Sequence, residues 1–360
     1  MKTIVQVVQH LKPGGLEVMA LELMKFSHHG DAMKIVSLEG DAETAIAAWP
    51  RLREFKDQLV FLNKAPGLSL STIMTLKRVL SSLDADLIHT HHIGPYFYGG
   101  LAAFLNRIPH VHTEHDAWHY SNKRHQVLHR IVSLFGTPVC VADADIVAHS
   151  LSSLSGMQDV RVIKNGVDTS KYIPGHKPTA RAAMKLPNAI KLIGASGRLE
   201  EVKGHAVLIS AMTELPNHIH LAIAGSGSME VMLKDKAKTL NLSDRVHFLG
   251  HVENMPKFYQ SLDLFCLPSF NEGFPLAPLE AQACGIPTAV TNVGGASETL
   301  CPESGCLMTA GDASDMAEKI THCLHNAVSS NPRTFVTNHA DIRTMASAYD
   351  SLTEGLCHGA

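Results

Sequence analysis

The sequence lacks any apolar run near the ~20 residues needed to span a bilayer. Its seven cysteines (Cys140, Cys266, Cys284, Cys301, Cys306, Cys323 and Cys357) include no pair at the two-residue gap of a zinc or redox motif. Their number is odd, and in a chain of 360 residues they read as reduced, mostly buried thiols of a cytosolic protein. A Cys301–Cys306 disulfide is the less favoured reading. Charge of one sign is also missing. The net charge of −3 leaves no basic stripe of the kind nucleic acid needs, so a nucleic-acid partner is not expected. The opening run Thr3-Ile4-Val5-Gln6-Val7-Val8 is too short for a secretory signal core, which again points to the cytoplasm, free or at the inner face of the membrane.

What is present is a repeating alternation of short apolar runs and helical patterns. With 360 residues, 45% of them hydrophobic, the chain has material for two cores. Strands are expected at 3–9, 33–38, 86–90 and 108–113, with helices at 16–26, 70–83 and 122–135. After a strand near 160–163 and the turn Asn165-Gly166-Val167-Asp168, a segment holding Pro174, Gly175, Pro178 and Pro187 marks a boundary. The pattern restarts with strands at 190–196, 219–224, 245–249, 262–267 and 286–290. Helices follow at 205–214, 278–284, 312–326 and 341–356. Strands alternating with helices imply parallel sheets covered on both faces. The expected division is a first domain 1–170, a second 171–340 and a closing helical segment 341–360.

In doubly wound sheets ligands sit at the carboxyl ends of strands, and two such loops carry chemistry. Gly197-Arg198-Leu199-Glu200-Glu201-Val202-Lys203-Gly204 leaves the strand 190–196. Arg198 and Lys203 place a guanidinium and an ammonium in one loop, suited to phosphate oxygens. Glu272-Gly273-Phe274-Pro275-Leu276-Ala277-Pro278-Leu279-Glu280 links the strand 262–267 to a helix opened by prolines. Gly273 lets backbone N–H groups approach a ligand, and the helix start forms an anion site. Glu280 can accept from a ribose diol, and Glu272 can reach sugar hydroxyls. Asp84-Ala85-Asp86 and Asp143-Ala144-Asp145 both read as turn residues ahead of strands, not as metal-holding pairs after them.

These loops, with Asn165 to Asp168, Ala224-Gly225-Ser226-Gly227 and Gly294-Gly295 with Glu298, resemble the group 1 (family 4) retaining glycosyltransferases. The resemblance covers essentially the whole chain and is strongest from Asn165 to Leu300. It implies the α/β GT-B fold: two Rossmann-like doubly wound domains facing a central cleft, with the last helix crossing back to the first domain. It assigns acceptor binding to the first domain and the nucleotide-sugar to the second. Arg198 and Lys203 would hold the diphosphate, Glu280 the ribose, and Glu272 with Gly273, Phe274 and Pro275 the transferred sugar. Gly14 and Gly15 match the family's glycine loop, and His115 its active-site histidine. The resemblance further implies retention of anomeric configuration, a donor that is commonly a UDP-sugar, a glycan or lipid-linked acceptor, and no metal or other cofactor.

Other readings stand beside these. His89, His91, His92, His110, His112, His115 and His119 crowd one region. A zinc site there matches no known spacing, and a polar floor to the site is preferred. Pro95-Tyr96-Phe97-Tyr98 suits either stacking on a sugar or core packing. Residues 122–135 form a basic amphipathic helix, which suits an anionic lipid surface or an ordinary packing helix with a solvated face. A non-catalytic nucleotide-sugar-binding protein and a sugar-nucleotide epimerase of the same architecture are the alternative functions.

Overall fold

The computed structural model describes residues 1–116, 120, 122–155, 159–325 and 331–357. His119 of the histidine-rich stretch lies outside them. The chain divides into two compact units, Met1–Asn165 with Ile342–Ala360, and Gly166–Asp341.

The first unit runs β1 (Ile4–Val8), α1 (Gly15–Phe26), β2 (Lys34–Ser37), α2 (Ala42–Ala48), β3 (Leu59–Phe61), α3 (Leu70–Ser82), β4 (Leu87–His91) and α4 (Ile93–Asn106). It continues with β5 (His110–Glu114), α5 (Lys123–Phe135), β6 (Val139–Ala142), α6 (Asp145–Ser155) and β7 (Arg161–Val162). Its strands form one parallel sheet in the order β3-β2-β1-β4-β5-β6-β7. Both faces are covered. α1 packs one of them with Ile4, Val8, Met19 and Leu23, while α3 and α4 pack the other with Val5, Val7, Ile88, Leu76 and Tyr96.

The second unit runs α7 (Lys177–Ala183), β8 (Lys191–Ser196), α8 (His205–Ala211), β9 (Ile219–Ala224), α9 (Glu230–Thr239), β10 (Val246–Gly250) and α10 (Met255–Gln260). Then come β11 (Leu264–Leu267), α11 (Leu276–Ala283), β12 (Thr288–Thr291), β13 (Cys306–Met308), α12 (Ala313–His325) and α13 (Pro332–His339). The sheet order is β10-β9-β8-β11-β12-β13, again parallel. The chain then enters α14 (Ile342–Cys357), which belongs to the first unit. There Met345, Ala346, Tyr349 and Leu352 join the α1 face, and the Asp350 carboxylate accepts from Ser27 Oγ and from the His28 backbone N–H (3.1 Å).

Several expectations need correction. Pro95 to Tyr98 lie inside α4 with Tyr96, Phe97 and Tyr98 buried, so this cluster is core packing. The helix was missed because Gly94, Pro95, Gly99 and Gly100 read as breakers. Here small residues are needed: a Cβ on Gly99 would lie 2.4 Å from Thr90 Cγ2, and one on Gly100 2.5 Å from Val132 Cγ1. Asp143 follows β6 and Asp145 opens α6, so this pair comes after a strand, not before one. Cys306 and Cys323 are joined by a disulfide, against the expectation of free thiols. Packing of α12 on the edge strand β13 brings together two residues 17 apart in sequence. Cys301 is a free, buried thiol.

Candidate functional site

Each sheet reverses its strand order once, between β1 and β4 in the first unit and between β8 and β11 in the second. Such a switch point opens a crevice at the carboxyl ends of the two strands. In the second unit the loops leaving β8 and β11 are the two that carry Arg198, Lys203, Glu272 and Gly273.

Glycines press these loops together. Gly204 has a left-handed backbone (φ 65°), and a Cβ there would lie 2.0 Å from the Pro268 carbonyl oxygen. Gly294 (φ 49°) would meet the Glu272 carbonyl at 1.8 Å. Both positions therefore need glycine for backbone angle and for space. The result is an ion pair across the switch point. Lys203 Nζ donates to Glu272 Oε1 at 2.6 Å, and Ser269 Oγ donates to the same oxygen at 2.5 Å. Glu272 is buried, Lys203 is half-buried and Arg198 is exposed.

Behind them Pro275 precedes α11, whose first turn has no side-chain cap. Backbone N–H groups at an uncapped helix start are available to an anion. Phe274 is buried, and Gly273 is half-buried in the loop. Glu280, in the second turn of α11, accepts from the Tyr259 hydroxyl at 2.6 Å. Tyr259 on α10 is fully buried, and burial together with the Glu280 carboxylate raises its pKa, so it stays a donor. Beside the cation loop, burial and the Lys203 ammonium lower His205 to about 4, which leaves the imidazole neutral.

The remaining named residues belong to the first unit. Gly14 and Gly15 follow β1 at the start of α1; a side chain at Gly15 would meet nothing within 4 Å. His115 follows β5 and is buried with both ring nitrogens engaged, Nδ1 with Asp143 Oδ2 (3.1 Å) and Nε2 with His91 Nδ1 (3.3 Å). Asp143 also accepts from Asn165 Nδ2 at 3.0 Å. Burial works against the charged imidazole, but the Asp143 hydrogen bond and charge, with Glu114 and Asp116, outweigh it and raise the His115 pKa. Asp145 pairs with Lys164 at 2.8 Å.

His89, His91 and His112 are buried in an internal polar network, while His92, at the start of α4, is half-exposed. His89 contacts Thr113, whose hydroxyl meets that of Tyr349 (2.8 and 2.9 Å). His112 contacts Thr90 and Glu114 (2.9 and 2.8 Å), and Tyr120 donates to Glu114 (2.7 Å). Burial, with neighbouring His115 and His112, lowers His89 to about 3. Among the described residues no three of these histidines gather as metal ligands.

Sequence reasoning missed Tyr259, Ser269 and Asp143. Ser269 stands two residues after β11 in the loop already flagged, which was a usable signal. Tyr259 gave none, because only packing of α10 on α11 brings it to Glu280.

With this geometry in view, the comparisons decide the family. The group described as "Glycosyl transferases group 1" matches residues 176–340, and "Glycosyltransferase Family 4" matches 13–171. The chain belongs to the group 1, family 4-like glycosyltransferases. Among curated relatives it is 30% identical over 263 residues to the D-inositol 3-phosphate glycosyltransferase of Mycolicibacterium smegmatis, covering 66% of this chain and 59% of that protein. It is 31% identical over 214 residues to the lipopolysaccharide core biosynthesis mannosyltransferase LpsB of Rhizobium meliloti, covering 53% and 60%. The matched region thus spans less than two thirds of these relatives' length. Among solved structures, Anabaena HepE in complex with UDP and glucose superposes with a TM-score of 0.84 at 21% identity, covering 99% of this chain and 100% of that one. A Rickettsia africae glycosyltransferase gives 0.84 at 20%, covering 100% and 99%. The fold of this glycosyltransferase-family chain is GT-B.

Proposed function

We propose that this chain transfers a sugar from a nucleoside-diphosphate donor, a UDP-sugar, to a glycan or lipid-linked acceptor with retention of configuration and without a metal ion. The observation that carries the reading is the cluster at the second unit's switch point: Lys203 on Glu272, an uncapped α11 behind them, and Glu280 held by Tyr259. UDP and glucose bound to HepE, and the glycosyltransferase names of the curated relatives, support it.

In this reading the diphosphate takes the Lys203 ammonium from Glu272, and Arg198 forks onto a second oxygen. Glu272, still anchored by Ser269, accepts from a sugar hydroxyl. Glu280 accepts from the ribose diol. Gly14 and Gly15 are assigned the role of offering backbone N–H groups to the donor phosphates. His115, oriented by Asp143, is the residue we assign to contact with the donor sugar. The acceptor hydroxyl oxygen bonds to the anomeric carbon on the face from which the phosphate oxygen departs, and its proton passes to that leaving oxygen. Charge develops on the diphosphate as the bond breaks, so fixed cations there lower the barrier.

The test is release of UDP from a panel of UDP-sugars with and without acceptor glycans. Acceptor-dependent release with an unchanged anomer is expected. Saturable nucleotide binding with no release would identify a binding protein, and sugar conversion without acceptor an epimerase. If the cations replace a metal, EDTA leaves the rate unchanged; a loss restored by Mg²⁺ or Mn²⁺ would overturn that part. A lipid-linked acceptor would also bring the chain to a membrane surface, with residues 122–135 the segment to meet it. Among the described residues no helix is long and apolar enough to cross a membrane.

A further inference from the structure

The helices on the two faces of the first sheet differ in their acidic residues. On the face covered by α1 and α14, the helices carry Glu17, Glu22 and Asp350, all buried, and the exposed Glu354, together with Lys25 and Arg343. On the other face α3 packs against α4, and α4 against α5. None of these three helices contains an aspartate or a glutamate. They and the α4 cap bring Lys77, Arg78, Arg107, Lys123, Arg124 and Arg130. From residue 93 to 142 the only carboxylates are Glu114 and Asp116, and both are buried.

The same face exposes large apolar side chains: Leu70, Met74, Phe104, Leu105, Leu134 and Phe135. Leu134 is 83% exposed, and the Phe104 and Phe135 rings meet edge to face at 5.5 Å. Between the carboxyl ends of α4 and α5 lies a cavity of about 470 Å³, walled by Ala103, Phe104, Ile108, Val132 and Phe135, with Arg107 also lining it. Along α5, Lys123, Val127, Arg130 and Leu134 fall at spacings of four, three and four, so charge and apolar bulk alternate down one exposed stripe. An ordinary solvated helix face mixes acids with bases and does not present aromatic side chains to water. Apolar groups set among cations on helices that carry no carboxylate, with Asp84 and Asp159 only in the flanking loops, complement an anionic lipid surface.

We propose that the α3–α4–α5 face docks on an anionic bilayer, with Leu134, Phe135 and Phe104 entering the acyl boundary and the Lys and Arg side chains meeting the headgroup phosphates. The cavity between α4 and α5 gives an acyl chain a place to lodge. This extends the membrane part of the function proposed above from one helix to a three-helix face, and it does not depend on the donor reading.

The test is co-sedimentation of the full chain with phosphatidylglycerol–phosphatidylcholine vesicles and with phosphatidylcholine alone. Binding to the anionic vesicles only, weakened by salt, is expected. Arg124→Glu with Arg130→Glu, and separately Leu134→Ser with Phe135→Ser, should each weaken it by about 10-fold or more. These side chains are exposed, and unchanged circular dichroism melting of each variant is the accompanying control. No sedimentation with anionic vesicles, or wild-type sedimentation by both variants, overturns the proposal. So does a solution dimer that the Leu134/Phe135 variant breaks into monomers while the wild type ignores vesicles, since a second copy would then cover the face. UDP release is scored separately, so failure of the catalytic reading leaves this result interpretable.

Discussion

Lys203 and Glu272 are 69 residues apart in sequence and 2.6 Å apart in space, and each limits what the other can do. Removing Lys203 deletes the diphosphate's ammonium and leaves a buried carboxylate with Ser269 as its remaining partner. Lys203→Ala should lower kcat/KM by about 10²–10³, the range for losing one charge-stabilising group; steady-state UDP release measures it. Glu280→Gln should act mainly on donor KM, because a ribose is held equally in ground and transition states. A different cluster contributes to stability. Asp263 accepts from Lys177, Arg181 and the Leu192 N–H at 2.6, 2.7 and 2.7 Å. Burial pushes this carboxyl up, but the two cations and the backbone bond outweigh it and hold its pKa below the usual value. A lowered carboxylate pKa stabilises the fold above the unfolded value near pH 4 and ceases to as pH falls through the folded value. Asp263→Asn should therefore cost about 3 kcal/mol at pH 7. The gap from wild type should close below about pH 4, which urea melts across pH would show. The types and loops of Arg198, Lys203, Glu272 and Glu280 were legible because strand ends, glycines and prolines frame them in sequence. Tyr259 was not legible, since its contact with Glu280, 21 residues away, leaves no local pattern; Ser269, three residues before Glu272 in the same loop, was within reach of a local reading.

At the scale of elements, the second unit's site depends on loops that touch backbone to backbone. Gly294→Ala places a Cβ into the Glu272 carbonyl on a left-handed residue, so the loop must move. Such a change should lower the melting temperature and weaken UDP binding together, and calorimetric titration of the variant measures the second effect. Gly15→Ala is the control: nothing lies within 4 Å of the added methyl, so stability should hold. Strands were the most legible elements, because each is a short apolar run closed by a turn signal. Helices with conflicting local chemistry were not. α4 was lost to its own glycines and proline, which serve close packing on β4 and α5. β6 (Val139–Ala142) was not among the expected strands, and Asp143 was consequently placed ahead of a strand instead of behind one.

At the scale of the molecule, two parallel sheets with one reversal each were foreshadowed by the repeated alternation of strand and helix, and a family resemblance spanning both sheets gave the GT-B architecture. The Cys306–Cys323 bond was not, because it depends on where an edge strand meets a helix. The whole reading turns on nucleotide binding in the second unit. Isothermal titration of UDP into the full chain, the Lys203→Ala chain and the Glu280→Gln chain tests it most directly. One UDP per wild-type chain, with binding at least about 10-fold weaker in each variant, is the predicted result. Equal affinity in all three, or no UDP binding by the wild type, would contradict it.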